Sequence, residues 1–433
     1  MSDHEAKNRS GAQGTAREVL REFTVLGLTS FGGPIAHLGY FRERLVVRRR
    51  WISEQGYAEL VALAQFLPGP ASSQVGFALG LHRAGVFGGF VAFAAFTLPS
   101  VVLIVLVALA APLLGGPIGD GLVAGLKVVA VAVVAHAVWG MARTLTPDLR
   151  RAGIAVGTGG LVFVLAWLGG GVWAPVASIV LGALAGLLLC RAAGRDSAIH
   201  GEAASTGGTA STGGAASVGG EATELRIPIS RRAGGACLVL VAALLLVLPV
   251  LAALAPSMPL AVLDAFWRAG SLVFGGGHVV LPLLETAVVG PGWVSESQFL
   301  AGYGAAQAVP GPLFTFAAYL GTLIAPGVEG LLLAVIALAG IFAPGLLLMV
   351  GVLPFWATLR RKPLVTAAVR GASAAVVGVL AAALIDPVIT SAVIDVSTAA
   401  LAALSTVLLI VARVPAWAIV VVGAIGGVLL AVF

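Results

Sequence analysis

Charged residues are scarce in this chain: Asp, Glu, Lys and Arg make up 10% of its 433 residues. Soluble domains carry roughly 25%, so the composition excludes an ordinary soluble protein. The mean hydropathy is +1.05, and apolar windows near the ~20 residues of a spanning helix predict an all-α polytopic membrane protein. We expect full spans at 86–113, 119–141, 152–168, 172–190, 236–256, 328–355, 364–385, 389–412 and 415–433.

Cysteines and catalytic motifs are scarce as well. Cys190 and Cys237 have no metal ligands nearby, which favours inert thiols. The sequence has no P-loop, no HExxH and no carboxylate cluster, so neither an ATP-driven pump nor an intramembrane metal enzyme is expected. We therefore expect no enzymatic activity, no metal and no cofactor. The net charge of +6 has no soluble face to carry it, so nucleic acid is not an expected partner.

Glycine and proline, by contrast, are plentiful, and they recur in the same order in two parts of the chain. FTVLGLTSFGG at 23–33 is matched by FWRAGSLVFGG at 266–276, and Pro68-Gly69-Pro70 is matched by Pro310-Gly311-Pro312. The offset is 242 or 243 positions throughout, which indicates a tandem duplication. Paired apolar segments broken by Gly and Pro at matching places indicate a transport site.

The expected domain organisation follows from the duplication. We predict a polar tail at 1–16, a first repeat at 17–190, a flexible linker at 191–235, a connecting span at 236–258 and a second repeat at 259–433. The linker is rich in Gly, Ser, Thr and Ala, and such a segment buries too little surface to become ordered. The tail lacks the apolar core of a signal peptide, so the first hydrophobic segment is expected to remain in the mature protein.

Arginine positions predict the orientation. Five arginines within 42–50, and others around the linker, place both regions in the cytoplasm. The matching loop at 285–297 has no Lys or Arg, which predicts that the two repeats are inverted. The segments at 19–41 and 57–81 are then re-entrant hairpins that turn at their breaks. The alternative counts all thirteen hydrophobic segments as full spans.

The breaks themselves predict an anion site. A helix that restarts after a break has up to four N–H groups without partners and a partial positive charge. Lys127 and Arg370 lie inside apolar segments 243 positions apart and could flank the same pocket. A cation there costs about 2.5–3.5 kcal/mol, so it usually faces a partner or a substrate. The predicted substrate-binding residues are Gly32, Gly33, Pro34, His37, Gln65, Pro68, Gly69, Pro70, Ser72, Ser73, Lys127, Gly275, Gly276, His278, Gln307, Pro310, Gly311, Pro312, Thr315 and Arg370.

Each of these assignments has a structural alternative. Gly and Pro also permit tight helix crossings in membranes, and long cationic side chains can reach the interface by snorkelling. His37 and His278 either titrate near neutral pH and couple transport to protons or are satisfied polar residues near helix ends. Gln65 and Gln307 either bind an oxyanion or satisfy loop backbone.

Four stretches carry a resemblance to a known family: FGGPIAHLG at 31–39, WISEQGYAELVALAQFLPGP at 51–70, FGGGHVVLP at 274–282 and FLAGYGAAQAVPGP at 299–312. They resemble the two halves of the long-chain chromate transporters, the chromate ion transporter family. The resemblance implies a multi-pass carrier of the bacterial inner membrane that exports chromate and confers resistance to it. It also implies that the Gly-Gly-Pro and Pro-Gly-Pro elements line the substrate path, although Gly277 stands where the first half has Pro34.

The substrate class follows from charge and shape. Chromate and sulfate are similar tetrahedral dianions, so a sulfate or other oxyanion carrier is an alternative, as is an anion channel. A dianion leaving a cell that is negative inside gains ~4.6 kcal/mol per 100 mV, so export needs no nucleotide. The expected partners are the oxyanion, the lipid bilayer, protons as a candidate coupling ion and a second copy in a homodimer.

Overall fold

A computed structural model of the chain describes residues 14–111, 116–169, 173–190, 227, 229–274 and 277–433. Every regular element within these ranges is helical, which confirms the predicted all-α polytopic membrane protein. Most of the polar tail and the linker, together with Gly275 and Gly276, lie outside the described residues.

The first half contains seven labelled helices: α1 (Ala16–Thr29), α2 (Gly33–Phe41), α3 (Glu54–Phe66), α4 (Ala71–Ala110), α5 (Gly116–Leu145), α6 (Leu149–Trp167) and α7 (Trp173–Leu189). A π-helical turn, Arg42–Arg48, continues α2. Helix α4 bends at Ala84 and Gly85, where the backbone leaves the helical region. Residues 71–83 of α4 therefore form a short helix that is separate from the longer helix after the bend.

Helix α8 (Arg231–Leu254) connects the halves, and the second half then contains α9 (Met258–Leu272), α10 (Val280–Val288), α11 (Glu296–Ala306), α12 (Phe316–Ile324), α13 (Gly327–Val352), α14 (Pro363–Ala383), α15 (Val396–Ile410) and α16 (Ala416–Val432). Short helical turns lie at Gly277–Val279, Leu313–Thr315, Leu353–Phe355, Trp356–Leu359, Leu384–Ile389 and Thr390–Ala392. The order of long and short helices follows that of the first half, with α12 and α13 in the place of the bent α4.

Local sequence explains where the short helices begin and end. Ser53 and Ser295 cap α3 and α11 by accepting hydrogen bonds from the N–H groups of Gly56 and Gln298. Leu67 is extended, with ψ of 150°, because a residue before proline disfavours the helical region. The chain therefore leaves the helix just before the Pro-Gly-Pro triplet.

The two halves are interleaved. Helix α5 packs against α15 and α16 of the second half, and α14 packs against α6 and α7 of the first. Small residues permit the close approach: a Cβ at Gly125 would lie 2.0 Å from the Gly423 carbonyl oxygen, and one at Gly186 would lie 2.4 Å from that of Ala367. Each half therefore covers the central helix of the other.

Six helical stretches of the described residues are long and apolar enough to cross a bilayer: 71–110, 116–145, 149–167, 231–254, 327–359 and 363–392. Three of the nine predicted spans hold shorter helices than expected, since α7, α15 and α16 have 17, 15 and 17 residues. In α15 the reason is local, because Asp395 caps the helix and sets its start at Val396.

Inversion of the halves is tested by cysteine labelling. In a background with Cys190→Ser and Cys237→Ser, we expect Val47→Cys and Pro291→Cys to react from opposite faces, because Val47 is 44% exposed in the arginine-rich connection and Pro291 is exposed in its uncharged counterpart. The measurement is modification by a membrane-impermeant maleimide in everted and right-side-out vesicles. Reaction of both from one face would contradict the inversion.

Candidate functional site

The breaks meet in two pairs, and each pair joins the two halves. The Gly69 N–H donates to the Val273 carbonyl at 2.7 Å, and the Gly311 N–H donates to the Ser30 carbonyl at 2.8 Å. In both cases the Pro-Gly-Pro break of one half binds the first break of the other. Backbone groups freed by the breaks thus find protein partners, which a lipid environment requires.

Each Pro-Gly-Pro glycine also contacts a long helix of the other half. A Cβ at Gly69 would lie 2.9 Å from the Gly345 Cα, and one at Gly311 would lie 2.0 Å from the Ser100 Oγ. The Ser100 hydroxyl donates to the Pro310 carbonyl. Both glycines have positive φ, 115° and 94°, so backbone conformation and space both require glycine.

A histidine joins the two breaks within the first half. The His37 Nδ1, on α2, lies 3.4 Å from the Ser72 Oγ in the first turn of α4. The ring also lies beside the backbone of Ser30. His37 and Ser72 are 1% and 3% exposed, so this contact forms inside the protein.

The segments that carry this contact also hold buried polar atoms without partners. Within the described residues, no hydrogen bond is made by the Ser30 Oγ, His37 Nε2, Ser73 Oγ or Thr97 Oγ1. None of these residues is more than 4% exposed. An unsatisfied buried polar group costs about 1–3 kcal/mol, and native proteins pair more than 90% of them. Ser30, His37, Ser73 and Thr97, which we call the donor cluster, each carry a buried hydrogen-bond donor without a partner in the described residues when the His37 proton is on Nε2.

The start of α4 adds backbone donors to the donor cluster. Pro70 caps the helix without a side-chain hydrogen bond, and the first intrahelical donor is the Gln74 N–H, which reaches the Pro70 carbonyl at 2.9 Å. The Gln74 Nε2 bridges the carbonyls of Pro68 and Gly345 at 2.9 Å each. Gln74 therefore holds the break in place, and the positive end of α4 lies beside the donor cluster.

Comparison with known proteins identifies the family. The family model described as "Chromate transporter" matches residues 17–187 and 260–428. The chain belongs to the chromate transporter family. A probable chromate transport protein of Synechococcus elongatus is 29% identical over 376 residues, covering 85% of this chain and 84% of that protein. The chromate transport proteins of Cupriavidus metallidurans and Pseudomonas aeruginosa are each 26% identical, covering 92% and 85% of this chain and 88% and 80% of those proteins. No solved structure matches.

The second half of the chain lacks the donor cluster. Val273 stands in place of Ser30 and Phe314 in place of Ser72. When the prolines inside the two long helices, Pro99 and Pro344, are aligned, Phe342 stands in place of Thr97. The one retained hydroxyl, Thr315, donates to the Pro312 carbonyl at 2.8 Å. The Phe314 and Phe342 rings lie 6.0 Å apart, so the second-half break is lined by aromatic surface.

The remaining predicted polar residues have different surroundings. The His278 Nδ1 lies 2.6 Å from the Tyr303 hydroxyl, on α11. Gln65 is exposed, whereas the Gln307 Nε2 is buried without a partner in the described residues. Gly32 and Gly33 have φ of 96° and 77°, as the first break requires.

The two cations inside apolar segments, Lys127 and Arg370, contact residues outside the donor cluster. The Lys127 Nζ lies 3.5 Å from the Ser297 Oγ at the start of α11. The Arg370 charge acts on Cys190, at the end of α7. In the described part of the chain, neither cation forms a hydrogen bond or ion pair with Ser30, His37, Ser73 or Thr97. A shared pocket between Lys127 and Arg370 stays a prediction.

Sequence reasoning missed three residues of this region: Ser30, Thr97 and Ser100. Two signals could have found them. Ser30 directly precedes the Phe-Gly-Gly break, and Thr97 and Ser100 flank Pro99, a proline inside a helix. Small polar residues beside a helix-interrupting proline are candidates for cavity lining.

Substitution of Gly311 tests its close contact with Ser100 of α4. We expect Gly311→Ala to lose about 1–2 kcal/mol through its backbone conformation alone, and more because its Cβ would displace the Ser100 hydroxyl. Gly33→Ala is the matched control, since it also has positive φ but no atom within 4 Å of a Cβ. Thermal melting of the purified protein should rank Gly311→Ala well below Gly33→Ala. Adding Ser100→Ala should partly restore the melting temperature of Gly311→Ala. Equal melting temperatures for Gly311→Ala and Gly33→Ala would contradict the close contact between Gly311 and Ser100.

Proposed function

We propose that this protein is a secondary transporter of the inner membrane that exports chromate and thereby confers resistance to it. The donor cluster at the first-half breaks carries the proposal. Buried hydroxyl and imidazole donors without protein partners suit a ligand that brings acceptors on every side, as a tetrahedral oxyanion does. The similarity to the chromate transport proteins of Cupriavidus metallidurans and Pseudomonas aeruginosa supports chromate as that oxyanion.

The donor cluster is suited to transport because its members are neutral. Hydroxyl, imidazole and amide donors at a helix N-terminus stabilise an anion, but none of them forms the fixed ion pair that would hold a dianion too tightly to leave. The membrane potential favours departure from the cytoplasm by ~4.6 kcal/mol per 100 mV for two charges. Export of chromate therefore requires no chemical energy from a nucleotide.

The reciprocal bonds between the breaks support an alternating-access mechanism. In the proposed inverted arrangement, Gly69 with Val273 and Gly311 with Ser30 form two related crossings on either side of one centre. Rocking of one half against the other would open one side while closing the other. Trans-stimulated exchange in proteoliposomes distinguishes such a carrier from an anion channel.

Removal of unpaired hydroxyls tests the site. We expect Ser73→Ala and Thr97→Val to lower chromate uptake into everted vesicles at least several-fold, without lowering the melting temperature, because each removes a buried hydroxyl that has no hydrogen-bond partner in the described residues. Ser178→Ala is the control, since its Oγ donates to the Ala174 carbonyl at 2.8 Å within α7. Sulfate is supplied as competitor, to measure selectivity between the two dianions. Full activity of both variants would remove the donor cluster from the substrate path.

The predicted cation pair has its own test. We expect Lys127→Ala and Arg370→Ala each to abolish oxyanion flux while membrane insertion stays intact, because an embedded cation that faces the path stabilises the dianion. Arg21→Ala, at an exposed position, is the control for loss of one charge. Near-normal uptake by either cation variant would assign that residue to the interface instead.

A further inference from the structure

A polar cavity lies beside α1, and Thr29 at the end of that helix brings it next to the first break. Its volume is about 400 Å³, it lies between α1 and the connection from α2 to α3, and its polar lining residues are Glu22, Thr29, Tyr40, Glu43, Arg44, Arg48 and Arg49. We call it the arginine cavity. In the proposed topology it opens to the cytoplasm, because the connection is the arginine-rich loop at 42–50.

One buried carboxylate holds two of its arginines. The Glu22 side chain is 1% exposed, and its two oxygens accept from the Arg44 Nε at 2.6 Å and the Arg49 Nη2 at 2.5 Å. Each guanidinium has five N–H donors, so most donors of both groups are not used by Glu22. Glu22 therefore positions two guanidinium groups at the cavity wall.

The cavity also carries excess positive charge. Arg48 pairs with Glu43 at 2.9 Å, so three arginines face two carboxylates among the lining residues. The side chains of Arg44, Arg48 and Arg49 are 31%, 72% and 43% exposed. They remain accessible to an ion from solution, and planar guanidinium groups match the paired oxygens of a tetrahedral oxyanion.

The corresponding place in the second half lacks this excess charge. A cavity of similar volume, about 400 Å³, is lined by Asp264, Arg268, Thr286 and Trp293, among others. Its one arginine is neutralised, since the Arg268 Nη2 lies 2.7 Å from the Asp264 Oδ2. Residues 44, 48 and 49 are matched by Thr286, Gly290 and Pro291. In the proposed inverted topology, the two cavities open to opposite faces and only one attracts anions.

We propose that the arginine cavity is a capture site that binds the tetrahedral dianion at the cytoplasmic face before it reaches the breaks. This inference rests on the proposed function. A cleft whose net charge is opposite to that of a ligand raises the local concentration and the association rate of that ligand, and the net charge here is positive. The half-saturation concentration for chromate is therefore lower from the cytoplasmic face than from the outer face.

The test changes the charge of the arginine cavity in both directions. Arg48→Gln with Arg49→Gln leaves Arg44 on the buried Glu22 carboxylate, so that carboxylate keeps one ion-pair partner. We expect this double variant to raise the half-saturation concentration for chromate in everted vesicles on the order of tenfold, with the maximal rate within about twofold. Glu43→Gln should lower the half-saturation concentration, because it adds net positive charge.

A matched control removes two cationic charges elsewhere. Arg42→Gln with Arg360→Gln breaks ion pairs with Glu54 and Glu59 that lie outside the arginine cavity. We expect its half-saturation concentration to stay near wild type. Between 20 and 500 mM salt, wild type and this control should lose affinity steeply and the cavity variant only weakly, because salt screens accessible charges over roughly 3–30 Å.

The outcomes separate this inference from the proposed function. Absence of chromate transport in wild-type vesicles would overturn both. Wild-type transport with an unchanged half-saturation concentration in the double cavity variant, or equal shifts in the variant and its control, would overturn the capture site alone. Vesicles of pure phosphatidylcholine and vesicles with phosphatidylglycerol distinguish a free dianion from a lipid phosphate: a defect seen only with phosphatidylglycerol would assign the cavity to a headgroup and contradict capture.

Discussion

A backbone interrupted inside a bilayer has to find its hydrogen-bond partners within the protein, and here the partners come from the opposite half. The Gly69 and Gly311 N–H groups each bind a carbonyl at the first break of the other half. These bonds fix the positions of the Pro-Gly-Pro triplets against the long helices α4 and α13, where a side chain larger than hydrogen has no room. The halves are also held together by their long helices. Helix α5 packs against α15 and α16, and α14 packs against α6 and α7.

The two crossings join matching backbone positions, but their side-chain chemistry differs. The first half carries hydroxyl and imidazole donors that no group in the described residues satisfies, whereas aromatic rings occupy the matching surface of the second half. A buried donor without a partner reduces stability, so its persistence favours a functional role over a structural one. The same asymmetry recurs at the cavities, since the arginines of the first half have uncharged counterparts. The proposed path therefore has a polar wall from one half and an apolar wall from the other.

Sequence reasoning predicted the elements better than their contacts. Gly and Pro act locally on the backbone, so the breaks at 31–34, 68–70 and 310–312 could be located from composition alone. Which break binds which depends on packing between segments more than 200 positions apart, and no local signal encodes it. Thr97 and Ser100 were missed for the same reason, because their position becomes informative only after Gly311 is placed beside α4. The arginines at 42–50 predict topology as a charge pattern, whereas their arrangement around Glu22 depends on how α1 packs against the following connection.

The most direct test of the central claim is the position of a bound dianion in the protein. Anomalous scattering from chromium, measured on crystals of the full chain soaked in chromate, locates the ion without reference to its surroundings. The account predicts a peak within hydrogen-bonding distance of Ser73 and His37, beside the crossing of Gly311 with Ser30. A peak only between Phe314 and Phe342, or only between Lys127 and Arg370, would contradict it.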